Sequence, residues 1–146
     1  MWDRIIHEAM TIAVDFDGTI VEHKYPAIGK EKPFAIETLK RLQFEGHRLI
    51  LFTSRDGKLL EDALKFCKNR GLEFFAVNGN EPAGALFADR SKLSGKVVAD
   101  IYIDDKNLGG LPDWDTIYEM VTNTKPSTPR RHKRPWYKRL FRKKKK

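Results

Sequence analysis

Two aspartates one residue apart, Asp15 and Asp17, stand at the end of an apolar run and are followed at once by Gly18 and Thr19. A second acidic pair, Asp104-Asp105, stands at the end of a later apolar run, and a third run between them ends in Thr53-Ser54-Arg55. Lys92 and Lys96 lie just upstream of the last run. Carboxylates brought together repel one another unless a cation sits among them, and hard oxygen donors with few neighbours suit Mg²⁺. A nucleophile, a second group to handle the proton of a leaving oxygen, and positive groups around the remaining oxygens are what phosphoryl transfer requires. In that chemistry Thr53 and Lys96 hold a phosphate opposite the metal. Ser54 and Arg55 adjoin Thr53 and read either as substrate contacts or as a helix cap and a solvated cation.

The elements that must position these groups follow from hydrophobic pattern. The run TIAVDF (residues 11–16), stopped by Asp17 and Gly18, reads as a buried strand. Pro33 opens a segment in which Phe34, Ile36, Leu39, Leu42 and Phe44 recur at near-helical spacing, with Gly46 as the stop signal. Residues 47–53 form the second strand, Leu59 to Cys67 a second helix closed by Gly71, residues 73–77 a third strand, and residues 100–104 a fourth. A closing helix is expected over Pro112 to Val121. Strands that are apolar throughout, separated by amphipathic helices, predict a doubly wound parallel α/β sheet in three layers, with helices on both faces. In such sheets ligands bind outside the carboxyl ends of the strands, where all the residues named above fall.

At this point the sequence resembles the haloacid dehalogenase superfamily. DFDGTI after a strand is similar to its first motif, Thr53 falls on the second, Lys96 on the third and Asp104-Asp105 on the fourth. Lys96 is preferred to Lys92 because it stands just before the final strand, as the family's lysine does. The likeness covers roughly residues 11–110 and is strongest to small capless hydrolases that share the ending Ile103-Asp104-Asp105-Lys106-Asn107-Leu108-Gly109-Gly110. It implies a Rossmann-like core in which Asp15 attacks phosphorus to form an aspartyl phosphate, while Asp17 protonates the leaving alcohol and then activates water. It further implies Mg²⁺ held by the Asp15 carboxylate, the Asp17 backbone carbonyl and Asp104, with Asp105 beside it. An EF-hand does not fit, because Gly18 arrives too early and a strand precedes the acidic loop. The four histidines show no zinc spacing.

Members of that superfamily that act on small metabolites cover the site with an inserted cap. Residues 20–46 must supply a flap and a full helix, and residues 78–95 have the composition of a loop, so neither gap has room for one. An open site suits a large substrate or a lid from another subunit.

Composition divides the chain into an N-terminal extension (1–9), a domain (10–124) and a tail (125–146). The tail holds 12 of the 28 basic residues and none of the 20 acidic ones, so the first 124 residues carry a net charge of −4. Its Trp136, Tyr137, Leu140 and Phe141 recur at helical spacing among the cations, and it cannot build a core of its own. It is either a solvated tail, a contact for nucleic acid phosphates with aromatic stacking, or an amphipathic anchor on anionic lipid. A single cysteine, Cys67, excludes an internal disulfide, and the first ten residues lack a signal peptide's apolar run. The expected address is the cytoplasm, with the tail allowing peripheral association with membrane or nucleic acid. Two functions compete: a phosphomonoesterase with an unknown phosphorylated substrate, and a catalytically silent domain of the same type serving as a binding module through its tail. All four motif positions are filled, which favours the enzyme. Asp17 separates it from dehalogenases, which lack that residue.

Overall fold

Ile12, Ala13 and Val14 have no side chain that tolerates water, and the strand they form, Thr11–Val14 (β1), is enclosed from Ile12 onward. In the computed structural model, which describes residues 9–82 and 97–124, three further strands lie parallel to it. They are Arg48–Leu51 (β2), Ala76–Val77 (β3) and Ile101–Ile103 (β4), in the order β3-β2-β1-β4. Val14 pairs with both Leu51 and Ile103, so the residues that follow each strand emerge side by side at one edge. The chain runs outward from β1 through β2 to β3 and then returns to the other side of β1. The topological switch point, where α/β sheets bind ligands, therefore lies between β1 and β4.

Among the described residues three helices accompany the strands: Ala35–Phe44 (α1) between β1 and β2, Gly57–Lys68 (α2) between β2 and β3, and Trp114–Asn123 (α3) after β4. All three pack on the same face of the sheet. Ile12, Val14, Leu49, Leu51 and Ile103 meet Leu39 and Leu42 of α1, Ala63 and Cys67 of α2, and Trp114, Ile117 and Val121 of α3 in one core. The opposite face presents Ala13, Ile50 and Ala76 and is met by Val97. The parallel α/β class expected from the sequence is what the chain adopts. The helical layer expected on the second face falls on a connection of which residues 83–96 lie outside the described residues. Residues 20–34 carry no inserted domain. They form a short strap closed by a bridge between Val21 and Glu31.

Element ends differ from the sequence reading for local reasons. β1 stops at Val14 because the Phe16 carbonyl turns inward and accepts the N–H groups of Thr19, Ile20 and Val21 at 3.2, 3.0 and 3.3 Å. Helix α1 begins at Ala35 because Phe34 is left-handed (φ 64°), and Glu31 Oε1 accepts the Ile36 N–H in place of a capping side chain at 3.3 Å. β3 is short because the Glu73 carbonyl is taken by Gln43 Nε2 at 2.5 Å rather than by a neighbouring strand. Among the described residues no helix is long and apolar enough to cross a membrane.

Trp114 fastens this core to the acidic edge. It is buried, and its indole N–H donates to the Thr19 carbonyl at 3.2 Å. Trp114→Ala is expected to cost about 3–5 kcal/mol, the range for removing a large buried aromatic, measured by urea unfolding. A cost below about 1 kcal/mol would mean the indole is not part of the core. Cys67 is likewise structural: burial pushes its thiol up to about 12, which keeps it protonated and unreactive at neutral pH.

Candidate active site

Asp15 and Asp104 are the first residues beyond β1 and β4, and the register of those strands makes them neighbours. Asp105 follows on the same turn. Carboxylate oxygens of Asp15, Asp104 and Asp105 all lie within 4.8 Å of one another, each side chain only partly exposed. Asp104 Oδ1 accepts the Lys106 N–H at 3.1 Å, which fixes the turn that carries both acids.

The loop after β1 is locked against that turn. Thr19 is fully buried, and its Oγ1 accepts the Asp105 N–H at 3.2 Å. Gly18 has φ +81°, and a Cβ there would stand 2.3 Å from Asp105 Oδ2. Only glycine permits both that backbone conformation and that approach.

Among the described residues, carboxylates dominate this edge. Burial is the largest influence on Asp15 and lifts its pKa from 3.8 to about 7. A hydrogen bond from the Phe16 backbone pulls the other way, and the charges of Asp104, Asp105 and Asp17 add to the rise. Asp105 Oδ1 is buried without a hydrogen-bond partner among the described residues. Among the described residues, the cation paired with its other oxygen is the exposed Lys106, whose Nζ stands 4.0 Å from Oδ2. An orphaned carboxylate oxygen beside two further carboxylates is the arrangement a hard divalent cation satisfies.

Asp17 takes no part in that acidic group with its side chain. Its two oxygens accept from Arg55 instead, Nε to Oδ2 and Nη2 to Oδ1, both at 2.7 Å. The resemblance assigned the metal to its backbone carbonyl, and its side chain is engaged by Arg55. Arg55 is one of the most buried residues in the protein, at 1% exposure, and so is not a solvated cation. The loop that bears it has no periodicity, so the sequence carries no signal of that burial.

Thr53 lies just beyond β2. Its N–H donates to Asn78 Oδ1 at 2.8 Å, and its Oγ1 accepts the Arg55 N–H at 3.1 Å. The hydroxyl keeps its own proton to donate. Asn78, with φ 50° at the end of β3, is a supporting residue that the sequence reading did not single out. Ser54 is exposed and does not cap α2, whose N-cap position is Asp56. Lys96, and Lys92 with it, lies outside the described residues.

The fold and edge define an α/β parallel-sheet protein with an acidic cluster at its topological switch point. A solved structure described as that of a conserved protein coded by a locus from Bacteroides thetaiotaomicron is 58% identical to it, covering 77% of this chain and 89% of that one, with a TM-score of 0.70. The chain belongs to the same family as that conserved protein. No protein-family model and no curated protein matches it.

Proposed function

We propose that this chain is a Mg²⁺-dependent phosphomonoester hydrolase of the haloacid dehalogenase type. The observation that carries the reading is the convergence of Asp15, Asp104 and Asp105 within 4.8 Å at the switch point of a parallel sheet. Those three carboxylates would hold the ion, with the Asp17 carbonyl as the further donor that the resemblance supplies. Bound there, Mg²⁺ offsets the charge of the acidic group and of the phosphate oxygens.

In the first half-reaction an Asp15 oxygen attacks phosphorus, the bond from phosphorus to the alcohol oxygen breaks, and Asp17 gives that oxygen a proton. In the second, Asp17 takes a proton from water as the water oxygen attacks phosphorus. The bond to Asp15 breaks, and inorganic phosphate leaves with the nucleophile restored. Thr53 serves the phosphate oxygens through its hydroxyl, and Ser54 is exposed next to it. Lys96 is assigned to the same oxygens by the resemblance.

The short strap formed by residues 20–34 is in keeping with an uncapped site, which would suit a large phosphorylated substrate or one covered by a partner. The tail, residues 125–146, adds contact with nucleic acid or an anionic membrane to this proposal, and the cytoplasm is the compartment it implies. A screen with Mg²⁺ over sugar phosphates, nucleotides and phosphorylated oligonucleotides tests the reading. Hydrolysis of at least one class, above the level of Asp15→Asn, is the expected result. No hydrolysis of any class would overturn it in favour of a silent binding domain.

A further inference from the structure

Arg55 has five N–H donors, and the structure accounts for every one. Two hold the Asp17 carboxylate as a fork at 2.7 Å. Nη1 donates to the carbonyls of Pro26 at 3.2 Å and Leu59 at 3.4 Å, and Nη2 gives its second proton to the Ala27 carbonyl at 2.9 Å. The guanidinium carbon also stands 5.2 Å from the ring centroids of both Phe16 and Tyr25. The Arg55 side chain is 0% exposed, and that of Asp17 is 11% exposed.

A guanidinium whose donors are all engaged has none left for a substrate oxygen. A buried cation cannot release its carboxylate without standing uncompensated, and a planar fork fixes the orientation of the carboxylate it holds. The other contacts come from the strap at Pro26 and Ala27 and from α2 at Leu59. The plane of the Asp17 carboxylate is thereby referred to two elements outside the loop that bears it.

We propose that Arg55 is a positioning residue: it sets the orientation in which Asp17 meets the leaving oxygen and the attacking water, and it does not touch substrate. This rests on the phosphohydrolase reading above. A lysine in its place keeps the charge but has no fork, so the carboxylate is held at a point and free to turn.

Kinetics with p-nitrophenyl phosphate and Mg²⁺ should compare wild type, Arg55→Lys, Asp17→Asn and the double variant. Arg55→Lys is expected to lose about a hundredfold in kcat, on the scale of acid–base contributions, with KM and half-saturating Mg²⁺ within about twofold of wild type. The double variant should be no slower than the slower single, because both changes remove one function. A raised KM at unchanged kcat would make Arg55 a substrate contact, and additive losses would make it a general fold staple. Either overturns the proposal.

A second measurement needs neither turnover nor a variant: the side-chain N–H signals of Arg55 in the wild-type ¹⁵N spectrum, recorded as inorganic phosphate is added with Mg²⁺. They should hold their positions while backbone signals at the acidic edge shift. Shifts of the Arg55 side-chain signals as large as those backbone shifts would show a donor given to phosphate and end the proposal. If wild type hydrolyses no ester, the hydrolase reading fails by itself, and this assignment fails with it only in its catalytic part, the spectrum still deciding whether Arg55 is closed to phosphate.

Discussion

On the proposed reading, Asp15→Asn should remove Mg²⁺-dependent hydrolysis of an aryl phosphate while the protein stays folded, because the proposed nucleophile would be lost but the shape of the side chain kept. A loss of about a thousandfold or more is expected, as when a nucleophile is removed from a working site. Retention of more than about a tenth of the rate would take Asp15 out of that role. The same variant should behave differently in stability. In the folded protein Asp15 holds its proton up to about pH 7, whereas in the unfolded chain it releases it near 3.8. As pH rises between those values the unfolded state ionises and the metal-free folded state does not, so stability falls across that window and stays low above it. Asn has no proton to lose. The melting temperature of Asp15→Asn relative to wild type, without metal, should therefore rise between pH 4 and pH 8. Adding Mg²⁺ at pH 8 should raise the wild-type value and leave the variant nearly where it was. A difference that does not change with pH would mean that Asp15 is not held back by its surroundings.

Gly18→Ala should injure stability and, on the proposed reading, Mg²⁺ binding as well. The backbone there has φ +81°, where a side chain costs about 1–2 kcal/mol. The new methyl would also stand 2.3 Å from Asp105 Oδ2, so that carboxylate must move. The Asp105 N–H is tied to Thr19, which limits how far the turn can retreat. A total of about 2 kcal/mol corresponds to a fall of roughly 4–8 °C in melting temperature for a chain of this size, and half-saturating Mg²⁺ should rise by at least about tenfold, the equivalent of 1.4 kcal/mol. Placing the alanine in an Asp105→Ala background removes the obstacle. There the backbone part of the cost should remain and the rest should vanish. An equal cost in both backgrounds would show that the close approach is not what orders Asp105.

How much of this was written in the sequence depends on which force decided each feature. The strands and helices were legible because burial imposes a period: Ile36, Leu39 and Leu42 of α1, and Ala63 and Cys67 of α2, face one core, although Phe34 and Phe44, read at the same spacing, sit exposed at the two ends of α1. Their ends were not, since hydrogen bonds made by single residues decide them. Nothing in the type of Phe34 announces a left-handed residue before α1, and nothing in Phe16 announces a carbonyl that gathers three N–H groups. The convergence of Asp15 with Asp104 and Asp105 could be read from the rule that parallel strands deliver their ends to one edge. The engagement of Arg55 with Asp17 could not, because it joins residues 38 positions apart through a loop with no pattern. Asn78 escaped for the same reason, its amide reaching 25 positions back to Thr53.

The sheet is not equally firm across its width, and the two halves of the site inherit the difference. Among the described residues β1 is flanked by β2 and β4, while β3 contributes two residues at an edge. Local opening begins where few buried contacts must be broken. Amide protons of Ala13 and Val14 should therefore exchange with solvent far more slowly than those of Ala76 and Val77, and hydrogen exchange followed by NMR reads the order directly. Comparable rates would mean the sheet opens as one unit. Asp15 rides on the part that opens last, whereas Asn78, which secures the Thr53 N–H, rides on the part that opens first. On the phosphohydrolase reading proposed above, mild denaturant should loosen the grip on phosphate while the acidic edge is still whole, so that hold on substrate would be lost before hold on the ion.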